Sequence, residues 1–492
     1  MEKFTYTDLM ELDLGRLAAA VSDWKGMTDR LSELTGDARD GLLKKSETAR
    51  WQGVNATVTR DFVRKTAKEI GDLALQSRSI HAVLADAHGE LTRVQKQARE
   101  LAAEARAGDP DRSGEPDMGL MVSDGGDGTV LVTESICDVE GTSRRTQDLM
   151  QYYADALTAL VSHAAEIDAA TVRALKACHG GDPHNAGHAV YTSLDRDQLP
   201  RAMRLAALGG QADSRQRAEL SRLWESLGPE ARGELWSRQR DGLLAAGLLD
   251  PSSKQVATDR GMGRHGSAGK GFDDYLTNGK IKSMADAADA LGMTDASRHL
   301  RHYYRNSGDP LELPVDKMLK DDAGLRTRIG DEVAAKSPQW REDALEEFRR
   351  NGGRPVSVRV ETRPEDYSFD QGENPNWFYA VGSARTNVTG VVTVVPDEQG
   401  RPKVDLDYQV NAWDRYNWDK GKGVEIGPVK IPDGEMGRQH TVGMAQEYDM
   451  AGSSSVQRHS LGGDRPDDGP VALPPDPGRN GGRTDPGRNP TD

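Results

Sequence analysis

Asp414, Tyr416, Arg438 and His440 bring together, within 27 positions, the residue types a hydrolytic site uses. In that arrangement Asp414 is the base, Arg438 an anion clamp and His440 the acid, with the Tyr416 phenol beside them. The stretch Trp413-Asp414-Arg415-Tyr416-Asn417-Trp418-Asp419 also holds two of the eight tryptophans. Trp413 and Trp418 are equally suited to anchor a core, with the polar residues between them ending a strand. Both readings stay open on the residues alone.

The elements that must position these groups start at Arg354, where the composition changes. Val356, Val358 and Val360 alternate, and Trp377 to Val381 and Val388 to Val395 read as strands. Pro396 to Gly400 is a five-residue hairpin loop. Val404, Leu406, Tyr408, Val410 and Ala412 return with period two. Residues 354–432 therefore read as a small antiparallel sheet with one buried face. Asp433 can cap a last helix to Met450 that carries Arg438, His440, Glu447, Tyr448 and Asp449. The Asp414-x-Tyr416-Asn417-aromatic arrangement is similar to the catalytic strand end of colicin-M-like bacteriocins, which cleave the lipid-linked peptidoglycan precursor lipid II. The resemblance implies catalytic roles for Asp414 and Tyr416. Asn417 stands where that family has a second Asp, and Gly423-Val424 where it has a His-Arg pair.

At the other end of the chain, Ile70, Leu73, Ser77, Ile80, Leu84, Ala87, Leu91, Val94, Ala98, Leu101 and Ala105 are spaced three, four, three, four. That is a heptad seam. Leu17, Val21, Trp24, Leu31, Leu34, Ala38 and Leu42 answer it at helical spacing. The two stripes can close only if the chain reverses at Arg50-Trp51-Gln52-Gly53, where Gly53 supplies backbone freedom and Trp51 a ring to bury across both helix ends. A helical hairpin with Trp51-x-Gly53 at its bend resembles the WXG-type proteins exported by type VII (ESX) secretion systems of Gram-positive bacteria and actinobacteria. Tyr191-Thr-Ser-Leu-Asp195 matches that family's Tyr-x-x-x-Asp/Glu export signal, displaced far downstream of the bend. The resemblance implies a secretion-system component or a WXG-type protein as partner.

Between these ends, Leu120, Val122, Val130 and Val132 flank a Gly/Asp turn and predict a short hairpin, with Asp124 and Asp127 in a plain turn that lacks EF-hand spacing. Helical periodicity resumes from Ile136 to Cys178, a third helix along the first two. His184 and His188 are four apart after Cys178-His179, but two glycines and a proline break the approach, so an interdomain linker is expected and no metal. Three helices, each stopped by glycine, follow from Arg201 to Ala246 and look similar to TPR-like repeats, with Trp224 and Trp236 between them. Gly261-Met-Gly263-Arg-His-Gly266 reads as a glycine-rich loop, since no buried strand precedes it. Further helices are expected at 281–291, 296–305, 315–319 and 339–351.

The net charge of −15 argues against general nucleic-acid binding, which needs a basic surface. No apolar run reaches the roughly 18 residues of a membrane span, and the start of the sequence lacks the pattern of a signal peptide. Cys137 and Cys178 fall roughly 60 Å apart on one helical stretch, which implies no internal disulfide. From Gly452 onward Ser, Gly, Pro, Asp and Arg dominate, and 453–492 reads as a disordered tail. The fold class expected is mainly α with a small α+β C-terminal domain: a bundle over 1–180, a helical middle over 181–294, and the α+β part over 295–452. No cofactor is called for. The order of parts suits a type VII-associated exported protein, secreted or at the cell surface by a signal-peptide-independent route, otherwise cytoplasmic. Its payload would be C-terminal, toxin-like, with an immunity protein as partner. The alternative is a non-enzymatic interaction protein of the secretion system or envelope.

Overall fold

The computed structural model describes residues 3–107, 119–134, 144–179, 190–253, 255, 261–418, 423–426 and 429–461. The chain is mostly helical with a smaller α+β part. It divides into two compact units, Met1–Leu248 and Leu249–Asp492. The division falls inside the stretch read above as a helical middle, so the glycine-rich loop and the helix after it belong to the second unit.

In the first unit, α1 (Tyr6–Glu11), α2 (Leu14–Gly36), a π-helical stretch (Asp37–Leu43) and α3 (Lys44–Thr48) lead to the bend, and α4 (Val54–Ala107) returns from it. Thr5 and Asp8 form a capping box on α1, and Asp13 caps α2. Gly53 sits at φ +102°, in the left-handed region that favours glycine. Trp51, by contrast, is 44% exposed. Its ring does not bury across the helix ends as expected; Arg60 closes the turn instead. Arg60 donates to the carbonyls of Ser46, Ala49 and Trp51 at 2.9, 3.0 and 2.9 Å. The heptad seam of α4 is buried from Ser77 through Ile80, Ala87, Leu91, Val94 and Ala98 to Ala105, whereas Leu73 near its start is exposed.

β1 (Leu120–Asp124) and β2 (Val130–Glu134) form the expected hairpin. Its turn consumes its own carboxylates: Gly126 N–H donates to Asp124 at 2.7 Å and Thr129 N–H to Asp127 at 3.1 Å. α5 (Arg144–His179) packs along α4, with Tyr153, Leu157, Val161, Ala164 and Ile167 in a shared core. α6 (Asp195–Ala206), α7 (Ser214–Ser226) and α8 (Pro229–Ala245) follow, and the Trp224 and Trp236 rings meet edge-to-face at 6.0 Å. These are the glycine-punctuated helices of the sequence, with α6 opening six residues earlier than expected, at Asp195.

The second unit begins with α9 (Phe272–Ala290), α10 (Thr294–Arg305), β3 (Leu311–Glu312), α11 (Val315–Asp321) and α12 (Ala323–Arg350). α12 runs through Pro338 as one helix, where a start at Gln339 was expected; Val333, Ser337 and Trp340 are all buried, and this packing outweighs the missing backbone bond. β4 (Val356–Glu361) and β5 (Glu365–Ser368) come next, then α13 (Pro375–Ala380). This last segment corrects the strand expected over Trp377–Val381: the Asn374 side chain accepts from Trp377 N–H and Pro375 occupies the first turn, which starts a helix.

β6 (Ser383–Pro396) and β7 (Pro402–Tyr416) are the long central hairpin, followed by β8 (Gly423–Ile426), β9 (Val429–Pro432), α14 (Asp433–Thr441), β10 (Tyr448–Ser453) and β11 (Gln457–Ser460). The expected terminal helix to Met450 therefore ends at Thr441, at Val442-Gly443, and Tyr448 and Asp449 lie on a strand. Sheet order is β3-β10-β7-β6-β4, with β11 also on β7 and β5 on β6; β3 and β10 are parallel, the other pairs antiparallel. β11 also corrects the boundary of the tail. Arg458 holds the fully buried Asp407 through two bonds of 3.0 and 2.9 Å, which secures a polar segment to the sheet. One sheet face, through Val388, Val392, Leu406, Val410 and Ala412, shares a core with Ile281, Leu300, Leu319, Ile329 and Trp340 of the helices.

Candidate functional site

Side chains on β7 alternate between faces, so Asp414 and Tyr416 lie with Ala412 on the helix-covered face, and Trp413 and Arg415 on the other. Asp414 and Tyr416 are each 4% exposed. The Tyr416 ring stacks on Tyr448 at 5.0 Å and is touched by His299, Tyr303 and Trp418 at 5.7, 5.7 and 5.6 Å. Burial raises its phenol far above the ordinary tyrosine range, so the group stays protonated. Its Oη is sealed from solvent and has no hydrogen-bond partner among the described residues. An unsatisfied buried hydroxyl costs about 1–3 kcal/mol. Tyr416→Phe is therefore expected to leave the fold as stable or more stable by about 1 kcal/mol, measured as the urea midpoint; a clear loss of stability would show that the hydroxyl has a structural partner.

Arg438 and His440 are placed by α14 and are engaged elsewhere. Arg438 grips Asp274 of α9 through Nε at 2.6 Å and Nη2 at 3.0 Å, and reaches the Gly269 carbonyl at 3.3 Å. The guanidinium hydrogen bond holds the Asp274 carboxyl below its usual range. His440 Nε2 lies 2.9 Å from the Gly263 carbonyl, and its Nδ1 accepts from Glu447 N–H at 3.1 Å. A carbonyl only accepts and an amide N–H only donates, so the ring is neutral with its proton on Nε2. Burial, which lowers its pKa, acts the same way. Both ring nitrogens are used within the fold, which leaves neither for proton exchange with a substrate in this conformation.

The glycine-rich loop makes this arrangement. Gly261, Gly263 and Gly266 all have positive φ, and a Cβ on Gly261 would lie 2.0 Å from a Glu447 oxygen. Glu447 accepts from Met262 N–H at 3.1 Å, and His265 meets His440 edge-on at 5.2 Å. His265 in turn bonds Asn306, whose left-handed φ of 64° ends α10. The Gly-x-Gly-x-x-Gly pattern thus lets a loop wrap α14. Tyr303 links the two halves of the proposed quartet: its ring packs on Tyr416 while its hydroxyl donates to the Met436 carbonyl of α14 at 2.8 Å. Sequence reasoning missed His299, Tyr303 and Asp274. The first two sit four apart on the apolar face of α10, but nothing local says which strand they meet.

The other sheet face carries a saturated polar network. Asn411 donates to Asn387 and Thr389, both at 3.0 Å, and accepts from Gln409 at 2.9 Å and Ser453 at 2.7 Å. A fully satisfied buried network specifies strand register. In the first unit, Tyr191 is 5% exposed and donates to Asp197 at 2.6 Å. Asp195 accepts from Gly228 N–H at 2.9 Å, and burial raises its pKa. Both residues of the export-type pair are thus tied into the fold. Cys178 is buried and free; His184 and His188 lie outside the described residues. Among the described residues no group of three or more His, Cys, Asp or Glu could hold a metal ion. Comparison with family models, with curated proteins and with solved structures finds no match for this chain.

Proposed function

We propose that the chain is an exported protein of the type VII secretion class, with the hairpin as its docking element and the second unit as an effector payload. The observation that carries this is the apolar ridge after the bend. Val54, Val58 and Phe62 follow at intervals of four along the start of α4 and are 80%, 62% and 68% exposed. Trp51 precedes them, and Leu34 and Leu42 of the first arm are exposed as well. A contiguous apolar helix face left in water marks a protein contact surface, and a WXG-type helical partner suits it. Trp51→Ala removes an exposed ring at little cost to folding. Export into the medium is expected to fall at least about tenfold with it, which at 1.4 kcal/mol corresponds to one lost interfacial anchor. Unchanged export would remove the proposal. No helix among the described residues is long and apolar enough to cross a membrane.

The second reading, a non-enzymatic interaction protein, is favoured by the internal commitment of His440 and the burial of Tyr416. Expression of residues 249–492 in a bacterial host, once cytoplasmic and once periplasmic, separates the two. Toxicity in one compartment that is lost with Asp414→Asn supports the effector. Folded protein without effect in either compartment supports the interaction protein.

A further inference from the structure

α10 carries Arg298, Arg301 and Arg305 at i, i+3 and i+7, one above another on a single helix face. They line a cavity of about 260 Å³ together with Ser297, Thr294 and Asp289. In a chain with net charge −15, three guanidinium groups at one concavity are a local reversal of sign. Arg301 is held by Asp286 and Asp289 at 2.9 and 2.6 Å. That leaves Arg298 and Arg305 as the cations available to a ligand. Arg298 spends one N–H on the Glu312 carbonyl at 3.2 Å, and Arg305 is exposed with no ion pair among the described residues. Thr294, on the same wall, is exposed and offers its hydroxyl to a ligand in the cavity.

We infer that this cavity binds a phosphate-bearing anion. Its volume is below that of sites for drug-sized ligands and suits one or two phosphate groups. Two guanidinium forks match the oxygen spacing of phosphate, and the Thr294 hydroxyl offers a further donor to a tetrahedral anion that has more oxygens than a carboxylate. Asp289 on the wall shares Arg301 with Asp286, so the net positive charge at the cavity comes from Arg298 and Arg305. The cavity is separate from Asp414 and the His440 loop, so the inference stands whether or not the second unit is an effector. His302, also on the wall, touches Tyr448 edge-on at 4.4 Å, which places the bound anion one ring from the aromatic cluster around Tyr416.

The test is calorimetric titration of the full chain with inorganic phosphate and with inorganic diphosphate, beside the double variant Arg298→Gln/Arg305→Gln. Both side chains are exposed, so the variant is expected to keep its urea midpoint. Saturable binding is expected, weakened at least about tenfold in the double variant and several-fold in Thr294→Val, since a charge-assisted contact is worth about one decade. A third arm uses phosphatidylcholine vesicles with and without phosphatidic acid. Binding to phosphatidic acid that is lost in the double variant assigns the phosphate to a lipid headgroup, whereas binding of the free anions alone assigns a soluble ligand. Absence of saturable binding in all arms, or equal binding by the double variant, would overturn the inference and leave α10 with a solvated basic face.

Discussion

Acidification from pH 7 to pH 4 is expected to destabilise the second unit by about 3 kcal/mol through His299 alone. His299 is fully buried beneath the Tyr416 and Tyr448 rings. Its Nδ1 lies 3.0 Å from the Tyr448 hydroxyl, and its Nε2 is sealed without a partner among the described residues. Burial is the main cause that lowers its pKa to about 3; Arg298 and His302 add to the shift and Asp295 opposes it. In the unfolded chain the same imidazole takes a proton near 6.5. Between those values the unfolded state binds more protons, so stability is complete above about pH 6.5 and is lost as pH falls towards 3. Urea midpoints of wild type and His299→Gln at pH 7 and pH 4 check this. Whatever midpoint the variant starts from, the quantity that matters is the pH-induced drop, which should shrink by the His299 share. An identical drop in both proteins would refute the assignment.

Trp377→Ala is expected to cost about 4 kcal/mol, the range for deleting a buried aromatic ring. Trp377 is fully buried. Its indole N–H donates to Asp321 at 3.1 Å, the Lys317 ammonium lies over the ring at 4.9 Å, and Phe369 packs at 6.2 Å. Lys317 also pairs with Asp295 and Asp321. One ring therefore anchors α11, α13 and the segment after β5. Trp377→Phe retains most of the apolar area but drops the indole donor, so a smaller loss of about 1–2 kcal/mol is expected. Equilibrium urea unfolding followed by circular dichroism measures both variants. An alanine variant that loses less than about 1 kcal/mol would show that this core relaxes around the cavity and that the ring is not its anchor.

The same tryptophan shows where local reading stops. Five apolar or aromatic residues, Trp377 to Val381, satisfy a buried strand and a buried helix equally. Asn374 and Pro375 decided for the helix, and a capping signal that short is easily read as a turn. The long periodic elements were legible because their signals are local and repeated. The seam of α4 from Ser77 onward and the apolar face of β6 and β7 bury what their spacing says they should, and α6 to α8 stop at their glycines; the second face of the sheet, expected in water, is buried as well, through Asn387, Thr389, Asp407 and Asn411. The seam does not hold at Leu73, and Trp51 remains in water, because burial needs a partner surface and spacing alone does not supply one.

The sequence by itself determined the mainly helical architecture, the sheet of the second unit and the shared face of Asp414 and Tyr416, since period two follows from strand geometry. Only the tertiary structure decided what those residues meet. The His440 ring is spent on Gly263, 177 positions away, and Arg438 on Asp274, 164 positions away. Gln457–Ser460 reads as part of a polar tail, yet it completes the sheet because Asp407, buried on β7, accepts Arg458 from 51 positions away. Such pairings depend on which charges and carbonyls the completed fold buries, and desolvation then makes each of them hold.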